Sequence, residues 1–339
     1  MQLNSILPAG RKVGFLLATL TALTLSFSSC KKEDNPPTVA PTITETINQG
    51  SQFTLLKLAL VKAGLDATLG AAGSYTLFAP TDDAFKLFGY GDAAAINAAP
   101  AVLLKTVLQY HVLGTKLTSA TIPAAINTPQ LTQASGASVY ISKVTSTSST
   151  TAISVNGAHV IQAGGAGGQT EFQASNGTVF AIDRILLPPV LGDIVATIQG
   201  IPTLLPNPLF SFKLLNQAVT KAGIGGALTA AGPLTVFAPT DNAFKASGFD
   251  STAIAKATVA QLTSVLSYHV LNNSRTYTPL ITSGSSLTTL QGGTITTAVS
   301  TSAVAVTGRG NGTLPSIIIG PDVSASNGVI QVIDRLLLP

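Results

Sequence analysis

The strongest constraint on this chain is that three sequence blocks occur twice, in the same order. Thr76-Leu77-Phe78-Ala79-Pro80-Thr81-Asp82 returns as Thr235-Val236-Phe237-Ala238-Pro239-Thr240-Asp241. Tyr110-His111-Val112-Leu113 returns as Tyr268-His269-Val270-Leu271. Asn176-Gly177 with Ile182-Asp183-Arg184-Ile185-Leu186-Leu187-Pro188 returns as Asn327-Gly328 with Ile333-Asp334-Arg335-Leu336-Leu337-Leu338-Pro339. The offsets are 159, 158 and 151 residues, so length differences fall between blocks and not inside them. A period this long marks a duplicated domain and excludes a solenoid repeat. Two modules of about 150 residues each can bury a full core.

Composition bears on compartment and partners. Charged residues make up 9% of the chain, hydrophobic ones 45%, and Trp is absent. The charged share is far below the roughly 25% of an average soluble domain. Thr, Ser, Asn, Gln and Gly supply the polarity, as in extracytoplasmic β-rich proteins. The formal charge of +4 falls to +2 once Arg11 and Lys12 of an acid-free leader are set aside. Basic residues are scattered without interleaved aromatics, which argues against nucleic acid as a partner.

The N-terminus reads as an address. Arg11-Lys12 precede an apolar run from Val13 to Leu25, and Ser28-Ser29 precede Cys30. This order predicts a signal peptide over residues 1–29. A 13-residue helix rises about 20 Å, short of the hydrocarbon core of a bilayer. Cys30 is the only cysteine, so it has no intrachain disulfide partner. Leu25-Ser26-Phe27-Ser28-Ser29-Cys30 resembles a bacterial lipobox, with Phe27 where Leu is usual. That resemblance implies lipidation of Cys30 and a membrane contact through the lipid. Residues 30–41 then form an extended, Pro- and Thr-rich tether. Lys31-Lys32-Glu33-Asp34 looks like a signal for the outer face of the outer membrane, and equally like a solvated tether.

Each module opens with an amphipathic helix. Ser51 is expected to cap the first, which runs through Phe53, Leu56, Leu60 and Val61 and stops at Gly64. Phe210, Leu214, Leu215 and Val219 play the same part before Gly223. A short strand follows, broken by Ala-Pro. Thr81 and Thr240 then cap a helix with Asp82 or Asp241 in its first turn, and Phe85 and Phe244 point inward. Further helices span Pro100–Tyr110 and Val259–Tyr268. After them the period shortens, and strands are expected around Val139–Ile141, Ile153–Val155, His159–Ile161 and Val179–Ile182. Counterparts lie at Thr294–Val299, Ala303–Val306, Ile317–Ile319 and Val329–Ile333. Helices first and strands later predict an α+β class.

The three blocks, in this order and spacing, resemble the fasciclin domain, with one copy at 42–189 and a second at 190–339. The resemblance implies two tandem fasciclin-like domains, each a wedge-shaped β-sandwich flanked by short α-helices. It implies extracellular adhesion or binding, without catalysis or a cofactor. The expected role is a lipid-anchored surface module that recognises extracellular polysaccharide or a surface or matrix protein. The expected location is the outer membrane, surface-exposed, with a periplasm-facing orientation as the alternative. An accessory binding lipoprotein of a nutrient-uptake complex is a second reading.

A surface-polymer hydrolase is a third reading, and it rests on Asp82 with His111 and Asp241 with His269. A carboxylate beside an imidazole could orient a base. No Gly-x-Ser-x-Gly elbow accompanies them. The resemblance implies instead that Thr81, Asp82, Tyr110, His111, Thr240, Asp241, Tyr268 and His269 are structural, with the Thr-Asp and Tyr-His blocks paired. Three histidines and one lipid-bearing cysteine make no zinc set, and Asp82-Asp83 lacks a calcium-loop frame. Gly164-Gly165-Ala166-Gly167-Gly168 lacks the Lys-Ser/Thr ending of a phosphate cradle. Asp183-Arg184 and Asp334-Arg335 are expected in the last strand, as internal ion pairs or edge guards. Phe172, Phe249 and Tyr277 are candidate exposed aromatics, with core burial at least as good a reading for each. Asn176, Asn272 and Asn311 sit in glycosylation-acceptor triplets.

Overall fold

The computed structural model describes residues 40–145, 151–162, 169–204 and 210–339. Cys30, the leader, nearly all of the tether and the Gly164–Gly168 run lie outside the described residues. Val39–Pro339 forms one compact unit that holds both modules.

The first module begins with α1 (Ile43–Gln49), α2 (Thr54–Ala63) and α3 (Asp66–Gly70), then β1 (Tyr75–Pro80). Helices α4 (Asp82–Leu87), α5 (Ala93–Ala98) and α6 (Ala101–Tyr110) follow. Seven short strands close it: β2 (Val112–Leu113), β3 (Thr128–Leu131), β4 (Ser138–Thr145), β5 (Thr151–Val155), β6 (Ala158–His159), β7 (Glu171–Ala174) and β8 (Gly177–Ile182). The order is the helices-then-strands pattern of an α+β module.

Two sheets form, ordered β2-β1-β8-β7 and β3-β4-β5-β6. In the first, β1 runs parallel to β8, with Tyr75 to Pro80 opposite Gly177 to Ile182. Successive strand residues point to opposite faces, which divides the core in two. Leu77, Ala79, Val179 and Ala181 face the helices. Phe78, Phe180 and Ile182 face Val139, Ile141 and Val155 of the other sheet. The Phe78 and Phe180 rings stack 5.8 Å apart. Both faces of β8 are therefore buried, which is why its sequence is apolar without alternation.

The second module repeats the plan with α7 (Ile194–Leu204), α8 (Lys213–Ala222), α9 (Gly225–Thr229), β9 (Leu234–Pro239), α10 (Asp241–Ala246), α11 (Ser251–Lys256) and α12 (Val259–Tyr268). Its strands are β10 (Val270–Asn272), β11 (Ser286–Thr288), β12 (Thr294–Val299), β13 (Val304–Gly308), β14 (Ser316–Ala325) and β15 (Gly328–Ile333). Here β14 pairs with β13 at one end and β15 along the rest, so all six strands and β9 form one sheet. Val236, Ala238, Ile330 and Val332 face the helices. Phe237 and Ile333 face Ile295, Val306 and Ile318.

Several local expectations need correction. Ser51 does not cap the first long helix; it lies in a 3₁₀ turn, and the helix starts at Thr54. Phe210 precedes α8, and Val61 is exposed. Gly64 and Gly223 do end their helices, both left-handed, with φ of 67° and 69°. Ala-Pro does not break the strand: Pro80 and Pro239 are the last paired residues, because a proline at the strand end forfeits no needed ladder donor. Asp183-Arg184 and Asp334-Arg335 lie just past β8 and β15 and do not pair with each other. Tyr277 is fully buried, while Phe172 and Phe249 are half-buried. Among the described residues, no helix is long and apolar enough to cross a membrane.

Candidate functional site

The repeated blocks converge on backbone groups, not on each other's side chains. Thr81 Oγ1 accepts from Ala84 N at the start of α4, and Thr240 Oγ1 accepts from Ala243 N at the start of α10. Asp82 looks backwards along the chain. Its carboxylate accepts from Leu55 N at 2.8 Å and from the Thr54 hydroxyl at 2.6 Å. Asp241 accepts from Leu214 N at 2.8 Å and from the Ser211 hydroxyl at 2.5 Å. Asp82 thus caps α2, the helix that Ser51 was expected to cap, and Asp241 caps α8, each at the positive end of the helix dipole.

The two histidines sit at the ends of α6 and α12, both buried. His111 Nδ1 is 2.7 Å from Val107 O and its Nε2 is 2.8 Å from Leu186 N. A carbonyl only accepts and an amide only donates, so the ring is neutral with its proton on Nδ1. His269 repeats this with Val265 O and Leu337 N. Burial pushes both imidazoles down to about 4. The Asp82–His111 and Asp241–His269 side-chain pairs that the hydrolase reading needs are not formed. Blocks one and two do touch, through Phe78 N to His111 O and Phe237 N to His269 O. The histidine side chains tie block two to block three. With both ring nitrogens engaged by backbone, neither histidine is free to take a proton from a nucleophile.

Tyr110 and Tyr268 are buried beside them. Tyr110 Oη donates to Ser138 O and accepts from Asn156 Nδ2, and Tyr268 Oη donates to Thr294 O and accepts from Arg309 N. Asn176 is also buried: it accepts from Ile43 N and donates to Leu69 O and Ala71 O. Asn327 does the same with Ile194 N, Leu228 O and Ala230 O. Of the three acceptor asparagines, only Asn272 is exposed. Among the described residues no group of three or more His, Cys, Asp or Glu could hold a metal.

The feature that sequence reasoning missed is the joint between the modules. Arg184 of the first reaches Asp322 of the second at 2.7 Å. Asp322 is held by Thr278 N at 2.7 Å and Gln331 Nε2 at 2.8 Å, and by the Thr278 hydroxyl. Gln331 stands in β15 where the first module has Phe180, and its Oε1 accepts from Asp322 N. Asp322 itself has φ of 64°, in the left-handed region. Beside this pair, Tyr277 Oη donates to Asn156 Oδ1 at 3.3 Å, and Arg275 lies 4.2 Å over the Tyr140 ring. Asn127 Nδ2 donates to Arg275 O. Burial raises the Tyr110 and Tyr277 hydroxyls above their ordinary range. One signal was available in the sequence: a lone glutamine, Gln331, in the otherwise apolar Val329–Ile333 run.

The modules also differ on their helical faces. In the first, Phe85, Phe88, Tyr90, Leu104, Val107 and His111 help line an apolar cavity of about 30 Å³. Leu87 and Val102 are 81% and 79% exposed beside it. The second module has Ala246, Ser247, Ala260 and Gln261 where the first has Leu87, Phe88, Val102 and Leu103.

Comparison with known proteins agrees with this plan. The Fasciclin domain model matches residues 51–188 and 210–339. Transforming growth factor-beta-induced protein ig-h3 of Sus scrofa is 25% identical over 269 residues, which cover 79% of this chain and 35% of that protein. The chain thus spans about a third of that relative's length. Protein sll1483 of Synechocystis sp. is 37% identical over 131 residues, covering 38% of this chain and 68% of that protein. A solved FAS1 domain pair from the insect cell adhesion molecule fasciclin I aligns at 18% identity with a TM-score of 0.39, over 84% of this chain and 96% of that one. With the family model matched twice across most of its length, the chain belongs to the fasciclin domain family and carries two such domains in tandem.

Proposed function

We propose that this chain is an adhesion module held at the outer surface of the outer membrane by a lipid on Cys30. Its two fasciclin domains would recognise an extracellular polysaccharide or a surface or matrix protein. One observation carries the choice of recognition over catalysis. The repeated chemistry of both modules, Asp82 with His111 and Asp241 with His269, is spent on helix caps and backbone ties. That arrangement supports a scaffold whose surfaces bind, and it leaves the hydrolase reading without a base. The Arg184–Asp322 joint supports a pair that presents both domains in one register, so a partner spanning both gains from fixed spacing.

The anchor rests on the leader, the small residues before Cys30 and the cysteine's position. Metabolic labelling with a palmitate analogue tests it: label should enter the chain and vanish in Cys30→Ser. Binding is tested with residues 31–339 on an array carrying both glycans and matrix proteins. Saturable binding to one class supports the adhesion reading. Silence from folded protein counts against it and favours a partner within the cell's own envelope.

A further inference from the structure

The joint inside the chain has two halves, and each domain carries both. The donor half is the arginine after the last strand. In the first domain it is Arg184; in the second it is Arg335, placed by the same repeated block. The two backbones are held alike. Asp183 Oδ1 accepts from His159 N and Asp334 Oδ1 accepts from Ile317 N. Leu186 N and Leu337 N each donate to the motif histidine.

The acceptor half is a carboxylate held by a backbone amide. In the second domain Asp322 accepts from Thr278 N at 2.7 Å. In the first, Glu171 accepts from Ser119 N, also at 2.7 Å. The strand register agrees. Glu171 lies opposite Phe180, and Asp322 bonds Gln331, the counterpart of Phe180. Ser119 also borders an open cleft of about 300 Å³ with Lys143, Thr151 and Thr170.

Within one chain, the first domain's donor fills the second domain's acceptor. The second domain's donor and the first domain's acceptor remain. Arg335 forms no ion pair among the described residues, and its buried Nε has no hydrogen-bond partner there. Glu171 is half-buried, accepts from Gln173 Nε2 as well as Ser119 N, and forms no ion pair among the described residues. The outer part of the half-buried Arg335 guanidinium is open to a partner, and a carboxylate is the group that pairs with it best.

We propose that copies of this chain associate head to tail, the Arg335 guanidinium of one copy meeting the Glu171 carboxylate of the next. The contact is heterologous, so it propagates into a row or ring instead of stopping at a symmetric dimer. It is weaker than the internal joint. Lys116 and Thr118 stand where the second domain has Arg275 and Tyr277, and Thr296 and Thr307 stand where the first has Tyr140 and Asn156. The turn Arg309–Asn311 also covers part of the donor side, where Asn311 bonds Leu336 O and Leu338 N.

Two experiments on the full chain test this. In the first, Arg335→Lys chain is mixed from unlabelled and ¹⁵N-labelled preparations and treated with a zero-length carbodiimide. An amide linking Glu171 of one copy to the lysine at 335 of another, found as a mixed-isotope peptide, supports the contact. Arg184→Lys is the positive control, since it should link to Asp322 within one chain. A working control with no mixed-isotope Glu171 linkage overturns the proposal. In the second, sedimentation is followed against concentration in a density-matched detergent. Association should weaken about tenfold in Glu171→Gln and in Arg335→Gln, and return in the charge swap Glu171→Arg/Arg335→Glu. Association unchanged in both single variants, or a single species at every concentration, overturns it.

Discussion

Arg184 Nη1 and the Asp322 carboxylate meet at 2.7 Å across the two domains, with the aspartate side chain 3% exposed and the arginine 33%. Asp322 keeps its Thr278 and Gln331 donors if the arginine is lost, yet its charge stays buried without a counter-ion. Arg184→Ala is therefore expected to destabilise the chain by about 2 kcal/mol, below the full effect of breaking a wholly buried pair. Arg184→Lys should recover part of the loss, because lysine restores the charge but not the planar fork. Urea unfolding measures both. An Arg184→Ala midpoint equal to that of the parent would rule the joint out as a stabilising contact.

Gly157 is the steric complement of that pair. Its φ is 83°, and a Cβ there would lie 2.2 Å from the Asp322 side chain. Gly157→Ala is expected to cost more than the roughly 1 kcal/mol of an ordinary left-handed glycine replacement, because the carboxylate must also move. Combined with Asp322→Gly, which also removes the Cβ that would lie 2.6 Å away, the steric part should disappear. A double-mutant cycle in thermal unfolding reads the coupling, and strict additivity would show that the two residues do not press on each other.

Asp82 and Asp241 act as helix caps. Replacing either with Ala should lower stability by about 1–2 kcal/mol, the usual range for a lost cap at a helix N-terminus. The same variants should leave the titration of His111 and His269 unchanged in NMR, since neither carboxylate bonds an imidazole. A shift of the histidine titration in Asp82→Ala would restore the abandoned Asp–His pairing.

The histidines set a pH dependence with a definite sign. Both are neutral in the fold, with pKa pushed down to about 4 from an ordinary 6.5 by burial. The unfolded chain therefore binds protons that the folded chain refuses. Stability is full above about pH 6.5 and falls as pH drops toward 4, by about 1 kcal/mol per pH unit for each histidine. Melting temperature measured from pH 7 to 4.5 should decline. Removing one histidine, as in His111→Gln, should flatten the slope even though the variant is less stable than the parent at neutral pH. A flat profile in the parent would contradict the buried neutral state.

Asn176 and Asn327 each staple the first helix of their domain to the turn after the next short helix. Asp at either position keeps the acceptor for the helix N–H but loses two donors and faces two carbonyl oxygens. Asn176→Asp and Asn327→Asp should each cost about 2–3 kcal/mol, the scale of unsatisfied buried acceptors and a buried charge. Chemical denaturation checks it. Intact-mass analysis after exposure to an N-glycosylation system provides a second readout: Asn176 should remain unmodified in folded protein while Asn272 is reachable.

Much of this was legible in the sequence because it depends on neighbours along the chain. The duplication, the helix spans ending at Tyr110 and Tyr268, the Thr81 and Thr240 caps, the glycine stops at Gly64 and Gly223 and the inward Phe85 and Phe244 all follow from local spacing and backbone preference. Short apolar runs between Gly, Ser and Asn turns located most strands. Alternation along β1 and β8 then divides the first domain's core between the two faces of one sheet, with Phe78 and Phe180 stacked on one of them.

What the sequence by itself determined is therefore the count of modules, their class, and the sites where backbone must turn or stop. Only the tertiary structure decided which polar side chain serves which backbone group. Asp82 caps a helix 27 residues behind it, and His111 bonds an amide 75 residues ahead. Arg184 finds its carboxylate 138 residues away, in the other domain. The physical reason is that hydrogen-bond partners are selected by distance and direction in space. A carboxylate, an imidazole or a guanidinium fits many partners equally well on paper, and only the packed core fixes which one lies within 3 Å of it.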